Sequence, residues 1–276
     1  MGIRSRRGAI ARSSFTPPFD PGPEPPVAAD TVAQWWANDI PADTGNLPAQ
    51  VTGFGESVNR WVDRVGGVIV ETQYDSGGLK WLGEGATTIV YYDATFGSNY
   101  KLQQTNGITS SGDGCIIIIF AINETSSSPA LNFNLNLMTS GYSAPAMAVQ
   151  LAINSSRITT TLLLQNGASL KAATGSADYY PGFHVLEISQ TGSALSMRID
   201  NDPLSISVGP YGGFGATLLT TQWADDAGPP GSISWWCSNT DYGFFGPAFI
   251  MIADSPLSSE DRTDLYDWIN GLYGVS

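Results

Sequence analysis

Leu131-Asn132-Phe133-Asn134-Leu135-Asn136-Leu137 alternates apolar and amide side chains without a break. A β-strand turns successive side chains to opposite faces, so Leu131, Phe133, Leu135 and Leu137 predict a core face and the three asparagines a wet one. Just upstream, Cys115-Ile-Ile-Ile-Ile-Phe-Ala-Ile122 has no polar position at all. Such a strand is either covered on both faces or central in its sheet. Short β-branched and aromatic runs, separated by Gly, Asn, Asp, Ser or Pro, extend the pattern both ways. They are Val58–Arg64, Gly67–Glu71, Leu79–Leu82, Thr87–Tyr92, Tyr100–Gln103, Ala146–Ile153, Arg157–Gln165, Phe183–Ser189, Ala194–Asp200, Leu204–Val208, Ala216–Thr221, Ser232–Cys237 and Phe244–Ile252. Strands at this spacing predict an all-β sandwich or barrel.

One helix closes the pattern. Ser258 is a good N-cap with Asp261 three residues on, and Leu265, Trp268, Ile269, Leu272 and Tyr273 form one buried stripe up to a Gly274 cap. This helix is expected to lie on the sandwich.

Composition narrows the function. Of 276 residues only 13% are charged, about half the usual share, while 42% are apolar and 31 are glycine. That excludes a coiled coil, a charged bundle and a disordered chain. A net charge of −13 argues against nucleic acid as the main partner. The longest apolar run is far shorter than the roughly 20 residues of a membrane span. No secretory core follows the basic N-terminus, and the two distant cysteines, Cys115 and Cys237, read as buried thiols.

The charge is unevenly divided. Residues 1–26 carry Arg4, Arg6, Arg7 and Arg12 against Asp20 and Glu24, a net +2 that leaves the body at −15. Proline punctuates Thr16-Pro-Pro-Phe-Asp-Pro-Gly-Pro-Glu-Pro-Pro26 and favours a stiff extended backbone. Residues 1–26 are therefore expected to form an anchoring arm outside the core, and residues 27–276 one domain. The four arginines, with Phe15 and Phe19, are the expected partner-binding residues of the arm.

The order of these blocks resembles the concanavalin A-like, laminin G-like jelly roll of phage virion proteins. The residues that carry the resemblance are Trp35-Trp36, Val58-Asn-Arg-Trp61-Val-Asp63-Arg-Val-Gly66, Thr88–Asp93, Gly182–Ile188, Leu195–Asp200, Gly243-Phe-Phe-Gly246-Pro-Ala-Phe-Ile-Met-Ile252, Pro256-Leu257-Ser258 and Leu272-Tyr273-Gly274. The likeness spans about residues 30–276. It implies a non-enzymatic structural protein: a capsid decoration, head fibre or tail component, assembled in the host cytoplasm without a signal peptide. Host-surface carbohydrate binding by a tail protein, or a free carbohydrate-binding module, is the alternative.

Enzyme chemistry finds little footing. By the same resemblance, glycosidases of this fold carry Glu-x-Asp-x-x-Glu on one strand, and no such segment occurs. Glu260-Asp-Arg-Thr-Asp264 is the nearest in spelling and falls in the terminal helix. His184 is the single histidine and reads as structural, which excludes the usual zinc sets. Asp200 and Asp202 are candidate calcium ligands, plain Asx turns being the other reading; no other cofactor is expected. For glycan, the expected site is Trp223 with Asp225, Asp226 and Tyr242, a ring for the apolar face of a sugar beside carboxylates for its hydroxyls.

The aromatic doublets Trp35-Trp36, Tyr91-Tyr92, Tyr179-Tyr180, Trp235-Trp236 and Phe244-Phe245 predict one ring inside and one outside wherever they lie in strands. The arm, the terminal helix or a neighbouring subunit would cover the outer rings. Expected partners are thus virion subunits held by the arm, further copies of the chain around a threefold or other cyclic axis, and host polysaccharide.

Overall fold

The computed structural model describes residues 23–28, 30–42, 56–57, 60–65, 69–72, 79–84, 87–92, 102–104, 114–122, 131–138, 147–154, 157–166, 169–178, 182–191, 194–208, 232–238 and 245–275. One antiparallel sheet has the strand order β1 (Thr31–Trp36), β18 (Phe245–Ala253), β8 (Gly114–Ile122), β13 (Gly182–Thr191), β14 (Ala194–Ile199), β15 (Asp202–Pro203). A second follows the order β16 (Ser207–Val208), β12 (Ser169–Asp178), β11 (Arg157–Asn166), β10 (Met147–Asn154), β9 (Leu131–Met138), β17 (Ser232–Ser238), β7 (Leu102–Gln104), β4 (Ile69–Thr72), β3 (Arg60–Val62). A small third sheet joins β2 (Glu56–Ser57), β5 (Leu79–Glu84) and β6 (Thr87–Tyr92). With the helix α1 (Ser259–Tyr273), this is the all-β sandwich closed by one C-terminal helix that the sequence predicts.

The polar-free stretch lies in β8, and its place explains its composition. β18 and β13 flank it, with Ile119 opposite both Phe249 and Val185 and Ile118 opposite both Ile250 and Leu186. Adjacent rows point to opposite faces. On one face Trp36, Phe249, Met251, Ile117, Ile119 and Val185 form a core with Leu265, Trp268, Ile269 and Tyr273 of α1. On the other, Trp35, Ile250, Ile116, Ile118, Leu186 and Ile199 are at most 2% exposed, inside the sandwich. β8 is thus covered on both faces and central as well.

α1 has the predicted ends. The Ser258 hydroxyl accepts from the Asp261 amide at 3.0 Å. Gly274, at φ 68°, turns left-handed and donates its amide to the Asn270 carbonyl at 3.0 Å.

Elsewhere the structure adds to the sequence reading. β1 was not among the predicted strands. β12 was also missed, because Ser169-Leu-Lys-Ala-Ala-Thr-Gly-Ser-Ala-Asp178 lacks strand-favouring residues. It forms through full-length pairing with β11, from Asn166 opposite Ser169 to Arg157 opposite Asp178. Gly175 in that strand admits Leu204: a Cβ there would stand 2.8 Å from the Leu204 Cδ1. The expected strand Ala216–Thr221 lies outside the described residues. Leu204–Val208 shortens to Ser207–Val208, because Asp200 and Asn201 (φ 51° and 65°) make a tight hairpin turn that pairs Ile199 with Asp202.

The Trp35-Trp36 doublet puts one ring on each face of the sheet, as expected, and the terminal helix covers the outer one. Both rings are buried, Trp35 at 0% and Trp36 at 1% exposure, because α1 roofs the face that Trp36 occupies. The side chains of the other doublets lie outside the described residues.

Truncating Ile118 to alanine inside the closed face should lower stability by roughly 2–5 kcal/mol. Ser258→Ala at the helix cap should cost about 1 kcal/mol. Urea denaturation should show both as lowered midpoints at unchanged slope, and an Ile118→Ala midpoint equal to the wild type would contradict the two-sided burial.

Candidate functional site: where the arm meets the domain

Three sets of contacts hold α1 against the sheet, and one of them belongs to the arm. Aromatic packing is the first. Trp268 meets Trp36 edge-on at 5.9 Å, Phe249 at 5.3 Å and Tyr273 at 5.6 Å, and Tyr273 meets Phe183 at 4.9 Å. The Trp36 indole donates to the Tyr273 hydroxyl at 3.0 Å. Burial pushes the Tyr273 phenol well above its ordinary pKa, so it stays neutral.

A buried carboxylate is the second. Glu187 sits on the helix-facing side of β13 with 1% of its side chain exposed. Arg262 grips it through two nitrogens, Nη2 to Oε1 at 2.6 Å and Nε to Oε2 at 3.2 Å. Tyr266 donates its hydroxyl to Oε2 at 3.4 Å. This fork satisfies a charge that burial would otherwise make expensive. Hydrogen bonding to Glu187 holds the Arg262 pKa up, while burial raises those of Tyr266 and Cys115. Cys115 is a buried free thiol, as read from the sequence, and inert; the Cys237 side chain lies outside the described residues.

The third is a strap made by residues 23–26. Trp268 donates Nε1–H to the Pro23 carbonyl at 2.9 Å, and Gln34 donates Nε2–H to the Pro26 carbonyl at 2.9 Å. Pro25 is buried. Glu24 pairs with Arg64 at 3.1 Å, and the Arg64 guanidinium lies 5.3 Å from the centre of the Trp36 ring. Residues 23–26, the end of the expected arm, are thus bonded to the domain. Fixed proline φ angles preset an extended segment whose carbonyls face outward, and buried N–H donors meet them.

The strap and residues 63–65 also guard a sheet edge. β1 is an edge strand, and Asp63 Oδ1 accepts from the Gln34 amide at 2.6 Å and from the Val65 amide at 3.0 Å. The Arg64 amide returns a bond to the Gln34 carbonyl at 2.8 Å. Trp61 donates its indole N–H to the Trp36 carbonyl at 2.9 Å. Backbone groups that an edge leaves open are thus taken up within the chain. Asp39, 3.6 Å from Arg64 Nε, has its pKa raised from 3.8 to about 6, burial outweighing the guanidinium.

Of the residues singled out in the sequence, Arg4, Arg6, Arg7, Arg12, Phe15, Phe19, Trp223, Asp225, Asp226 and Tyr242 lie outside the described residues. Asp200 and Asp202 are described and are not brought together as ligands. Asp200 points inward: its Oδ2 lies 2.7 Å from His184 Nδ1, its Oδ1 accepts from the Val185 amide at 2.8 Å, and Asp202 is exposed on the turn. His184 is fully buried and stacked on Phe120 at 5.6 Å, a structural histidine that fixes the hairpin. Among the described residues no group of three His, Cys, Asp or Glu side chains could hold a metal. No described helix is long and apolar enough to cross a membrane. The sequence reading missed the strap's receptors. Trp268 was legible only as helix core, and nothing local marks Gln34 or Arg64 as partners of Pro26 and Glu24.

Comparison with known proteins finds likeness in structure alone. No family model matches, and no curated protein matches. The binding domain of botulinum neurotoxin DC, solved in complex with SialylT, superposes with a TM-score of 0.54 at 10% identity, over 87% of this chain and 52% of that one. The binding domain of botulinum neurotoxin serotype C1 does so with 0.54 at 12%, over 87% and 52%. The CBM2 module of the evolved Dit of Lactobacillus casei BL23 phage J-1 gives 0.38 at 12%, over 67% and 75%, too loose to argue from. The chain spans about half the length of the neurotoxin binding domains, and at these identities the likeness establishes the sandwich fold.

Replacing Arg262 by methionine leaves Glu187 buried with Tyr266 alone and should cost roughly 3–5 kcal/mol, read as a lowered denaturation midpoint; a loss near zero would show the fork to be dispensable. The raised Asp39 pKa means that the folded state holds its proton more tightly than the unfolded one. Its contribution to stability is present below about 3.8 and is lost as pH rises through about 6. Asp39→Asn should therefore gain thermal midpoint relative to wild type between pH 4 and 7, and a constant difference across that range would refute the shift.

Proposed function

We infer that this chain is a non-catalytic, carbohydrate-binding sandwich displayed on a phage particle and held there by its N-terminal arm. The observation that carries the binding half is the shared sandwich of the neurotoxin binding domain solved with SialylT. In agreement, the sequence lacks the paired-acid strand of glycosidases on this fold, and the His184–Asp200 pair is shut inside the domain.

Two features support the anchoring half. The N-terminal twelve residues hold four arginines and no acid, while the body is strongly acidic. The strap fixes where that arm leaves the domain, on the α1 face, so an arm-bound particle would face α1 and the rest of the sandwich would project away. The phage setting itself rests on the resemblance in the sequence. Within this reading, Arg4, Arg6, Arg7, Arg12, Phe15 and Phe19 engage the particle, and Trp223 with Asp225, Asp226 and Tyr242 engages sugar. An exchangeable calcium at Asp200 finds no support, since that carboxylate is already committed to His184 and Val185.

Trp223→Ala should abolish retention on host polysaccharide while leaving the thermal midpoint unchanged; equal retention by both forms would remove that residue from the site. Removing residues 1–22, which spares the strap, should leave a folded domain that no longer enters particles. Full occupancy without those residues would end the anchoring reading.

A further inference from the structure

The strap's seat is defined by three groups: Trp268 Nε1, Gln34 Nε2 and the Arg64 guanidinium. Trp268 and Gln34 are buried, Gln34 completely. With the seat empty, both donors would lose these acceptors in a place where water replaces them poorly, so the seat calls for a permanent occupant. What it reads is nonetheless generic. Two of the three contacts go to backbone carbonyls, and the third goes to a glutamate whose side chain is 79% exposed. Any Pro-Glu-Pro-Pro segment presented in the same direction satisfies it, including the identical segment of another molecule.

A second observation points to that other molecule. Among the described residues, the large apolar side chains that stand exposed are Val27, at 58%, and Val65, at 42%. Val27 follows the strap directly after Pro26, and Val65 follows the seat directly after Arg64. Isolated surface valines are unremarkable, but in the chain one directly follows the strap and the other directly follows the arginine that binds it. Turning the chain at Val27 would carry residues 23–26 off their own domain, and two such chains would place each strap in the other's seat with the valines between them. The same patch would then serve both copies, as a twofold contact requires.

We propose that two copies of this chain exchange straps, residues 23–26 of each filling the Trp268–Gln34–Arg64 seat of the other, with Val27 and Val65 buried at the crossing. The exchange leaves every seat contact as it is and adds only the valine contact, so it operates at high local concentration, as on a crowded particle surface. It goes beyond glycan binding and does not depend on it.

Charge reversal in the full chain separates exchange from self-occupancy. Glu24→Arg sets like charges against Arg64, and Arg64→Glu sets them against Glu24. Each variant alone should dimerise as the wild type does, because the repulsion is the same in a self-filled and an exchanged seat. Mixed, the two pair Arg with Glu at both seats, so native mass spectrometry should show dimers containing one of each. The double variant Glu24→Arg/Arg64→Glu should dimerise like wild type. Because Arg64 also touches Trp36 and Asp39, Val27→Asp at an exposed position gives an independent check: it should weaken the dimer at an unchanged circular dichroism spectrum. A wild type that stays monomeric at the highest concentration attained, a mixture with no more mixed dimer than random association gives, or a Val27→Asp dimer as strong as wild type would overturn the exchange. Polysaccharide retention measured on the same samples is independent of all three, so a monomer that still binds sugar would refute the exchange and leave the binding reading standing.

Discussion

A strand with no polar side chain must be covered on both faces, and the rest of this structure follows from meeting that demand for β8. The sandwich interior closes one face. The other needs a roof, and a single amphipathic helix supplies it. A helix lying on a sheet is held by one stripe of side chains, so its position depends on what fixes it at particular points. Here a forked ion pair fixes its first turns through Arg262 and Glu187, and an aromatic cluster fixes its end through Trp268 and Tyr273. The arm's root adds a third fixed point, through the same Trp268. Burying an ion pair is a poor source of net stability, but it is a strong source of register: Arg262 finds one acceptor under the helix, and a helix slid by one turn would strand Glu187.

Sequence patterns revealed what depends on neighbours in the chain. The strand β9, the all-apolar strand β8, the stripe of α1 and both of its caps rest on local patterns, and each element appears where the residues predicted it. What stayed hidden depends on distant partners. Glu187 and Arg262 are 75 residues apart, and Trp268 and Pro23 are 245 apart. Neither carries a local mark of its partner. β12 was illegible for a related reason: alanine, serine and glycine do not announce a strand, and its pairing with β11 makes it one. For Trp36, periodicity foretold a ring on the outer face, and of the three covers open to it the helix is the one the structure shows.

The candidate site was read in a similar way. Composition separated a basic, proline-rich stretch, residues 1–26, from an acidic body, and its last four residues, 23–26, bond to that body. Prolines suggest an absence of core contacts, since they lack a donor. They keep their carbonyls, however, and two buried N–H groups of the domain use Pro23 and Pro26 as acceptors. Asp200 was read as a calcium ligand or an Asx-turn residue, and in the left-handed turn that forms there its carboxylate reaches inward to His184.

The pairing of β1 with β18 has a mechanical meaning for any pull applied to the chain ahead of the strap. β1 begins five residues after the strap ends, and it lies antiparallel to β18 from Thr31 opposite Ala253 to Trp36 opposite Phe249. A pull on the arm along the strand axis loads those rungs side by side, as shear, instead of opening them one after another as a peel would. The strap, held by two hydrogen bonds and one ion pair, gives way first and acts as a fuse, so a tugged domain pays out a few residues of chain before its core bears any load.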